Sequence, residues 1–237
     1  MPGSHERVAK AFAHQQPDRT PLFEIFQPYQ PIHWEVCGRT PATDMALAWD
    51  AKADGIAWEE LIELEARAQY AICKHFQLDM VRLNAGTPPN YERPVKTGPT
   101  TWTLGGIPYQ RNERTKMVEV ANPGDAVADS HRMREEDVRR RVEAWDGQAK
   151  PAPPRANRIL ERVKELARAD GVDWVYMGEI GAGTGAAFYP PFQLMWLVAE
   201  PDLQQRWMEM QKAGAFPRTR AMIEAGCEVI ALGGDVS

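Results

Sequence analysis

Short β-favouring apolar runs alternate along this chain with longer stretches of helical periodicity. Ser4 stands where it can cap a helix carrying Val8, Ala11 and Phe12 on one side, with Pro17-Asp18 as its stop. LFEIF, residues 22–26, predicts a first strand with Phe23 and Ile25 on one face and Leu22, Glu24 and Phe26 on the other. A proline-containing loop over 27–40 follows. Residues 41–76 then read as helix, with Leu61, Leu64, Ala68, Ile72 and Phe76 on one face. DMVRLN, residues 79–84, predicts a second strand that sets Val81 and Leu83 against Met80, Arg82 and Asn84. From 100 to 120 the pattern becomes that of a hairpin around Gly105-Gly106 with one further strand. A helix over 134–145 and the proline-rich connector DGQAKPAPPR come next. A helix marked by Ile159, Val163, Leu166 and Ala167 ends at Asp170-Gly171 and leads into a third strand at 174–177, which opens into a loop holding Gly181, Gly183 and Gly185. Pro201-Asp202 starts a long helix with Leu203, Trp207 and Met210 inward, bent at Pro217. Gly226 closes it before a fourth strand at 227–235.

Strands separated by helices predict a parallel α/β arrangement, and periodicity alone fits a doubly wound sheet or a (β/α)8 barrel equally well. Glu24, Arg82 and Asn84 each place a polar group on one face of a strand that flanking helices should bury. That favours a TIM barrel whose interior opens at its C-terminal mouth. A complete barrel takes roughly 250 residues. This chain spends 237 on four such strands and its insertions. The expectation is a single incomplete barrel domain over 1–237, the N-terminal part of a longer protein, with a helical extension at 1–20, an antiparallel β insertion at 100–120 and a connector at 146–156. Such a piece should expose a sheet edge and oligomerise or aggregate.

A net charge of −5 argues against a nucleic-acid binder working by phosphate neutralisation. The run Arg139 to Arg141 follows Glu135, Glu136 and Asp137, the pattern of a solvated, ion-paired helix face. Cys37, Cys73 and Cys227 are odd in number and far apart, which fits reduced thiols in the cytoplasm. The charged N-terminus does not read as a secretory signal, and no run approaches the roughly 18 apolar residues of a membrane span. Cys73 and His75 lie two apart on a helix and so point to different sides, which argues against a metal pair.

The candidate chemistry gathers at predicted strand ends. Glu24, Asn84, Glu179 and Asp235 are the catalytic candidates, with Glu24 and Asp235 suited to moving a proton or holding a substrate cation. Arg82, His33 and Tyr189 are the binding candidates, with Gly181 and Gly183 allowing close backbone approach to a small-molecule substrate. A buried ion pair, Glu24 with Arg82, is the structural alternative.

With those residues in view, the chain resembles the uroporphyrinogen decarboxylase (URO-D) superfamily, through RVAKAFAHQQPDRTPLFE near the start and the path from WVYMGEIGAGTG through FQLMWLVAEPDLQQRWMEMQ to EAGCEVIALGGDVS. The resemblance implies a (β/α)8 barrel of the URO-D type, often a homodimer, whose later strands are absent here. It also implies one of two chemistries, tetrapyrrole decarboxylation or methyl transfer linked to a corrinoid (cobalamin) protein. True decarboxylases carry an arginine-rich stretch after the first strand, where FQPYQPIHWEVCGR here has only Arg39. They also carry an aspartate at the end of the second strand, where this chain has Arg82-Leu83-Asn84. Methyl transfer is therefore the better fit, with the corrinoid held by a partner. The zinc ligands of thiol-methylating members, a His-x-Cys pair and a later Cys, match nothing in this segment and would lie beyond Ser237. EIGAGTG also resembles the first motif of S-adenosylmethionine-dependent methyltransferases, but Tyr189-Pro190-Pro191 interrupts the helix that should follow. A non-catalytic barrel relative is the third class.

Overall fold

The computed structural model describes residues 3–25, 29, 31–83, 87–121, 135–148, 157–180 and 191–232, and only the backbone of Glu24, Ile25, Glu179, Ile180, Pro191, Gln193, Leu194 and Leu232. It divides into two compact units, Met1–Ala128 with Asn157–Val175, and Asp129–Ala156 with Tyr176–Ser237.

In the first unit, helix α1 (Ser4–Phe12) precedes strand β1 (Phe23–Ile25). Ser4 does not cap α1. Gly3 holds the cap position, and the Ser4 hydroxyl donates instead to Asp79 Oδ1 at 3.1 Å. The expected loop after β1 contains a short helix, α2 (Ile32–Cys37). The helical stretch after it is two helices, α3 (Met45–Ala53) and α4 (Trp58–His75), parted at Asp54-Gly55. The Asp44 side chain caps α3, accepting from the N–H groups of Ala46 at 2.9 Å and Leu47 at 3.2 Å. Helix α4 buries Leu61, Ile62, Glu65, Ala66, Ala68, Gln69, Ile72 and Cys73, whereas Leu64 is half-buried and Phe76 exposed, so its inner stripe runs about one position away from the expected one. Strand β2 (Met80–Arg82) pairs parallel with β1, a connection that needs a crossover, here α2 to α4.

The insertion is larger than a hairpin and one strand. Strands β3 (Val95–Gly98), β4 (Thr101–Leu104), β5 (Ile107–Arg111) and β6 (Val118–Val120) form an antiparallel sheet in sequential order. Gly105 and Gly106 turn β4 into β5 with φ of 57° and 79°, the paired positive angles of the tight hairpin that glycine favours. Trp102 and Val118 pack with Ala46, Met45, Trp49 and Tyr109, which fastens the sheet to α3. Helix α6 (Arg158–Ala169), capped by Asn157 Oδ1 on the Leu160 N–H at 3.0 Å, lies along α4, where Arg162 grips Glu63 at 2.7 and 3.0 Å. The next strand, β7 (Val175–Ile180), opens with the Val175 N–H donating to the Asp79 carbonyl at 3.0 Å.

In the second unit β7 pairs parallel with β8 (Val229–Leu232), Met177 opposite Val229 and Glu179 opposite Ala231. Helices α5 (Glu135–Glu143), α7 (Pro191–Ala199) and α8 (Pro201–Glu224) surround a cluster of Val138, Val142, Trp196 and Trp207, with Leu203 and Met210 against it as their spacing predicts. Helix α8 carries Pro217 inside it. At Gly178 an added Cβ would lie 2.8 Å from Met222 Sδ and 3.2 Å from Met222 Cβ and Ile230 Cδ1, so a side chain here would push the Met222 and Ile230 side chains aside. The acidic-then-basic run on α5 is an ion-paired face that reaches further than its own helix: Arg139 holds Glu135 at 3.1 Å and both carboxylate oxygens of Glu200 at 2.6 Å.

The described strands make a mixed α/β fold of parallel pairs and an antiparallel sheet; a closed barrel is not among what they form. Among the described residues no helix is long and apolar enough to cross a membrane.

Candidate functional site

Asn84, Gly181, Gly183, Tyr189 and Asp235 lie outside the described residues. Glu24 and Glu179 are placed by backbone alone, in the middle of β1 and near the end of β7. The parallel register sets Glu24 opposite Val81 and Ile25 opposite Arg82, so Glu24 and Arg82 occupy neighbouring rows of the ladder rather than one shared row. The expectation that both line a common strand face does not hold for this pair. Arg82, half-buried, is the last residue of β2. His33 is not on a loop reaching over a site. It sits on α2 at 7% exposure, where burial pushes its imidazole pKa down. The neighbouring Trp34 donates its indole N–H to the Thr43 carbonyl at 2.7 Å.

The exit side of β1 and β2 holds a group of ionisable side chains that the apolar pattern did not announce. Glu65, 7% exposed on the inner face of α4, accepts from the Thr87 N–H at 3.1 Å and from the Thr87 hydroxyl at 3.0 Å. Thr87 lies five positions past the end of β2 and is itself held from behind, its carbonyl accepting from the Trp58 indole at 2.9 Å. Burial pushes the Glu65 carboxyl pKa up, and the two Thr87 bonds and the charge of Lys52 only partly offset it. Burial pushes the Lys52 ammonium down, against the pull of Glu65, while its Nζ sits 5.7 Å from the centre of the Tyr91 ring. The Tyr29 phenol, just past β1, is pushed up by burial and by the Glu65 charge, and its backbone is held at a φ of 64°, which a bulky residue rarely adopts. Burial thus drives the proton affinities of this acid and this base towards each other, the kind of perturbation that marks candidate sites.

One sequence signal could have found Glu65. It falls four residues after Leu61 and three before Ala68, inside the apolar stripe of an amphipathic helix, and Gln69 follows one turn later. Cys73 and His75 do separate, Cys73 buried and His75 exposed. Among the described residues no three His, Cys, Asp or Glu side chains converge to hold a metal.

A second buried carboxylate closes the opposite end of the strands. Asp79, immediately before β2 and fully buried, accepts from Ser4, from Arg7 Nη1 at 2.9 Å, from Arg19 at 2.6 and 3.0 Å, and from the Leu22 N–H at 2.9 Å. Burial alone would raise its pKa; the Leu22, Arg7 and Ser4 bonds and the Arg19 charge outweigh it and hold the carboxyl below the usual range.

A scan of protein-family models and a search of curated proteins matched nothing. Among solved structures, a methyltransferase from Methanosarcina mazei is similar with a TM-score of 0.48 and 19% identity over 99% of this chain and 59% of that one. The chain thus spans about 59% of the length of that protein.

Proposed function

We propose that this chain supplies strands of a URO-D-type (β/α)8 barrel and that the enzyme moves a methyl group between a small methylated substrate or a thiol and a corrinoid carried by a partner protein. What supports the reading is the gathering of Thr87, Tyr29 and Lys52 around Glu65 on the exit side of a parallel strand pair, where α/β enzymes assemble their sites. The segments that carry the URO-D resemblance fall on α1 with β1, on β7, on α7 with α8 and on β8, in that order.

In this reading the corrinoid supplies a cobalt centre that accepts or releases the methyl group. The chain does the rest. When the methyl leaves a heteroatom, the electron pair of the broken bond stays on that atom and a proton must reach it; Glu24 and Asp235 stand as the groups that deliver it. Gly181, Gly183 and Tyr189 are the proposed substrate-binding residues, and Asn84 and Glu179 the ones that orient its polar end. Isothermal titration with methylcobalamin, coproporphyrinogen and S-adenosylmethionine tests the assignment. Heat with methylcobalamin alone is expected, together with methyl transfer to a thiol followed by the cobalamin spectrum. Binding of S-adenosylmethionine instead, or of coproporphyrinogen with release of carbon dioxide, overturns it.

A further inference from the structure

We infer that Glu65 is a positioning residue whose bonds to Thr87 latch the segment Thr87–Tyr91, the strap between β2 and the antiparallel sheet, onto the first half of α4. The strap is tied down at both ends. At one end Glu65 takes both donors of Thr87 while Trp58 donates to the Thr87 carbonyl. At the other the Tyr91 hydroxyl donates to the Ile56 carbonyl at 3.3 Å and Lys52 lies over the Tyr91 ring. Pro88 and Pro89 between them remove two backbone donors and limit the strap's freedom, so the anchors at its ends decide its place. Helix α4 offers no other carboxyl on its buried face among the described residues; Glu59, Glu60 and Glu63 of the same helix are not buried. A carboxyl at 7% exposure that, among the described residues, accepts hydrogen bonds from Thr87 alone is costly for stability, which is why the latch is assigned to positioning. The groups that act on its carboxyl are Lys52 of α3, Tyr29 after β1 and Thr87 itself.

The decisive measurement is amide hydrogen exchange on the whole chain, read residue by residue. In Glu65→Ala the Thr87 amide should exchange about 10-fold faster or more, as expected for losing a hydrogen bond to a carboxylate, while the amides of Leu61 and Ile72 keep their protection. Thr87→Val removes one bond and should accelerate the same amide less. Glu65→Gln, which can still accept from the Thr87 N–H and donate to its hydroxyl, should restore most of the protection. Unchanged Thr87 exchange in Glu65→Ala and Thr87→Val, or equal acceleration across α4, overturns the latch; if Glu65→Ala does not fold, the Thr87→Val comparison decides alone. The consequence for turnover rests on the proposed methyl transfer: Glu65→Ala should raise KM several-fold with kcat little changed, and Glu65→Gln should reverse it. A wild-type chain without methyl transfer removes that reading and leaves the exchange test intact.

Discussion

Asp79 and Glu65 are both carboxylates buried beside the same pair of parallel strands, yet they are built in opposite ways. Asp79, on the entry side, sits among two guanidinium groups, a hydroxyl and a backbone N–H, and its own carbonyl and N–H join the starts of β1 and β7. Glu65, on the exit side, has among the described residues the two bonds of one threonine and a single cation acting on it, itself partly desolvated. A carboxylate that is fully paired stays charged and stabilises what it joins. One that is buried and thinly paired holds its proton more tightly and keeps a capacity for change. The contrast follows the division of labour in parallel α/β folds, stability at the strand starts and chemistry at their ends.

The widest gap should appear in stability. Asp79→Ala strands Arg7 and Arg19 against each other and is expected to cost about 3–5 kcal/mol in denaturant unfolding, as for a broken buried ion pair. Glu65→Ala should cost less, about 1–3 kcal/mol, the scale of unsatisfied buried donors. If the two losses were equal, the difference between the strand ends would collapse.

The pH dependence should run in opposite directions. The Asp79 carboxyl has a lowered folded pKa, so its contribution is present above the ordinary aspartate value of about 3.9 and disappears as pH falls through the folded value. Glu65 has a raised folded pKa, so its contribution is complete below the ordinary glutamate value of about 4.3 and is lost as pH rises through the folded one. Asp79→Asn should therefore flatten the acid limb of the stability profile, and Glu65→Gln the limb above it. A Glu65→Gln profile that superimposes on wild type would show that the carboxyl titrates as though in water. The smallest effect belongs to Thr87→Val, about 0.5–1.5 kcal/mol for one hydrogen bond, measured by thermal unfolding near neutral pH.

Much of the fold was legible because its signals are local. The Gly105-Gly106 turn, the strand cores around Phe23–Ile25, Met80–Arg82 and Val229–Leu232, and the inward Trp207 all follow from spacing within a few residues. Strand β3 escaped because VKTG shows no alternation and is exposed at three of its four positions. The short helix α2 escaped because the prolines before it read as loop, and α7 because Pro190-Pro191 reads as a stop although Pro191 only begins a helix, where a missing N–H is tolerated. Within α4, Leu61 belongs equally to a stripe through Leu64 and to one through Glu65; only packing against its neighbours chose the second.

The sequence by itself determined most of the longer helices, the cores of the parallel strands, where the tightest turn lies and that helices separate those strands, since each of these depends on side-chain period and backbone freedom close along the chain. Tertiary structure decided the parallel register that separates Glu24 from Arg82 and the burial of His33. It also set the fate of two acids that look alike in one dimension. Asp79 and Glu65 differ in charge balance and proton affinity because Arg7 and Arg19 reach one and Thr87 and Lys52 act on the other, and such partners are brought together only when distant parts of the chain pack.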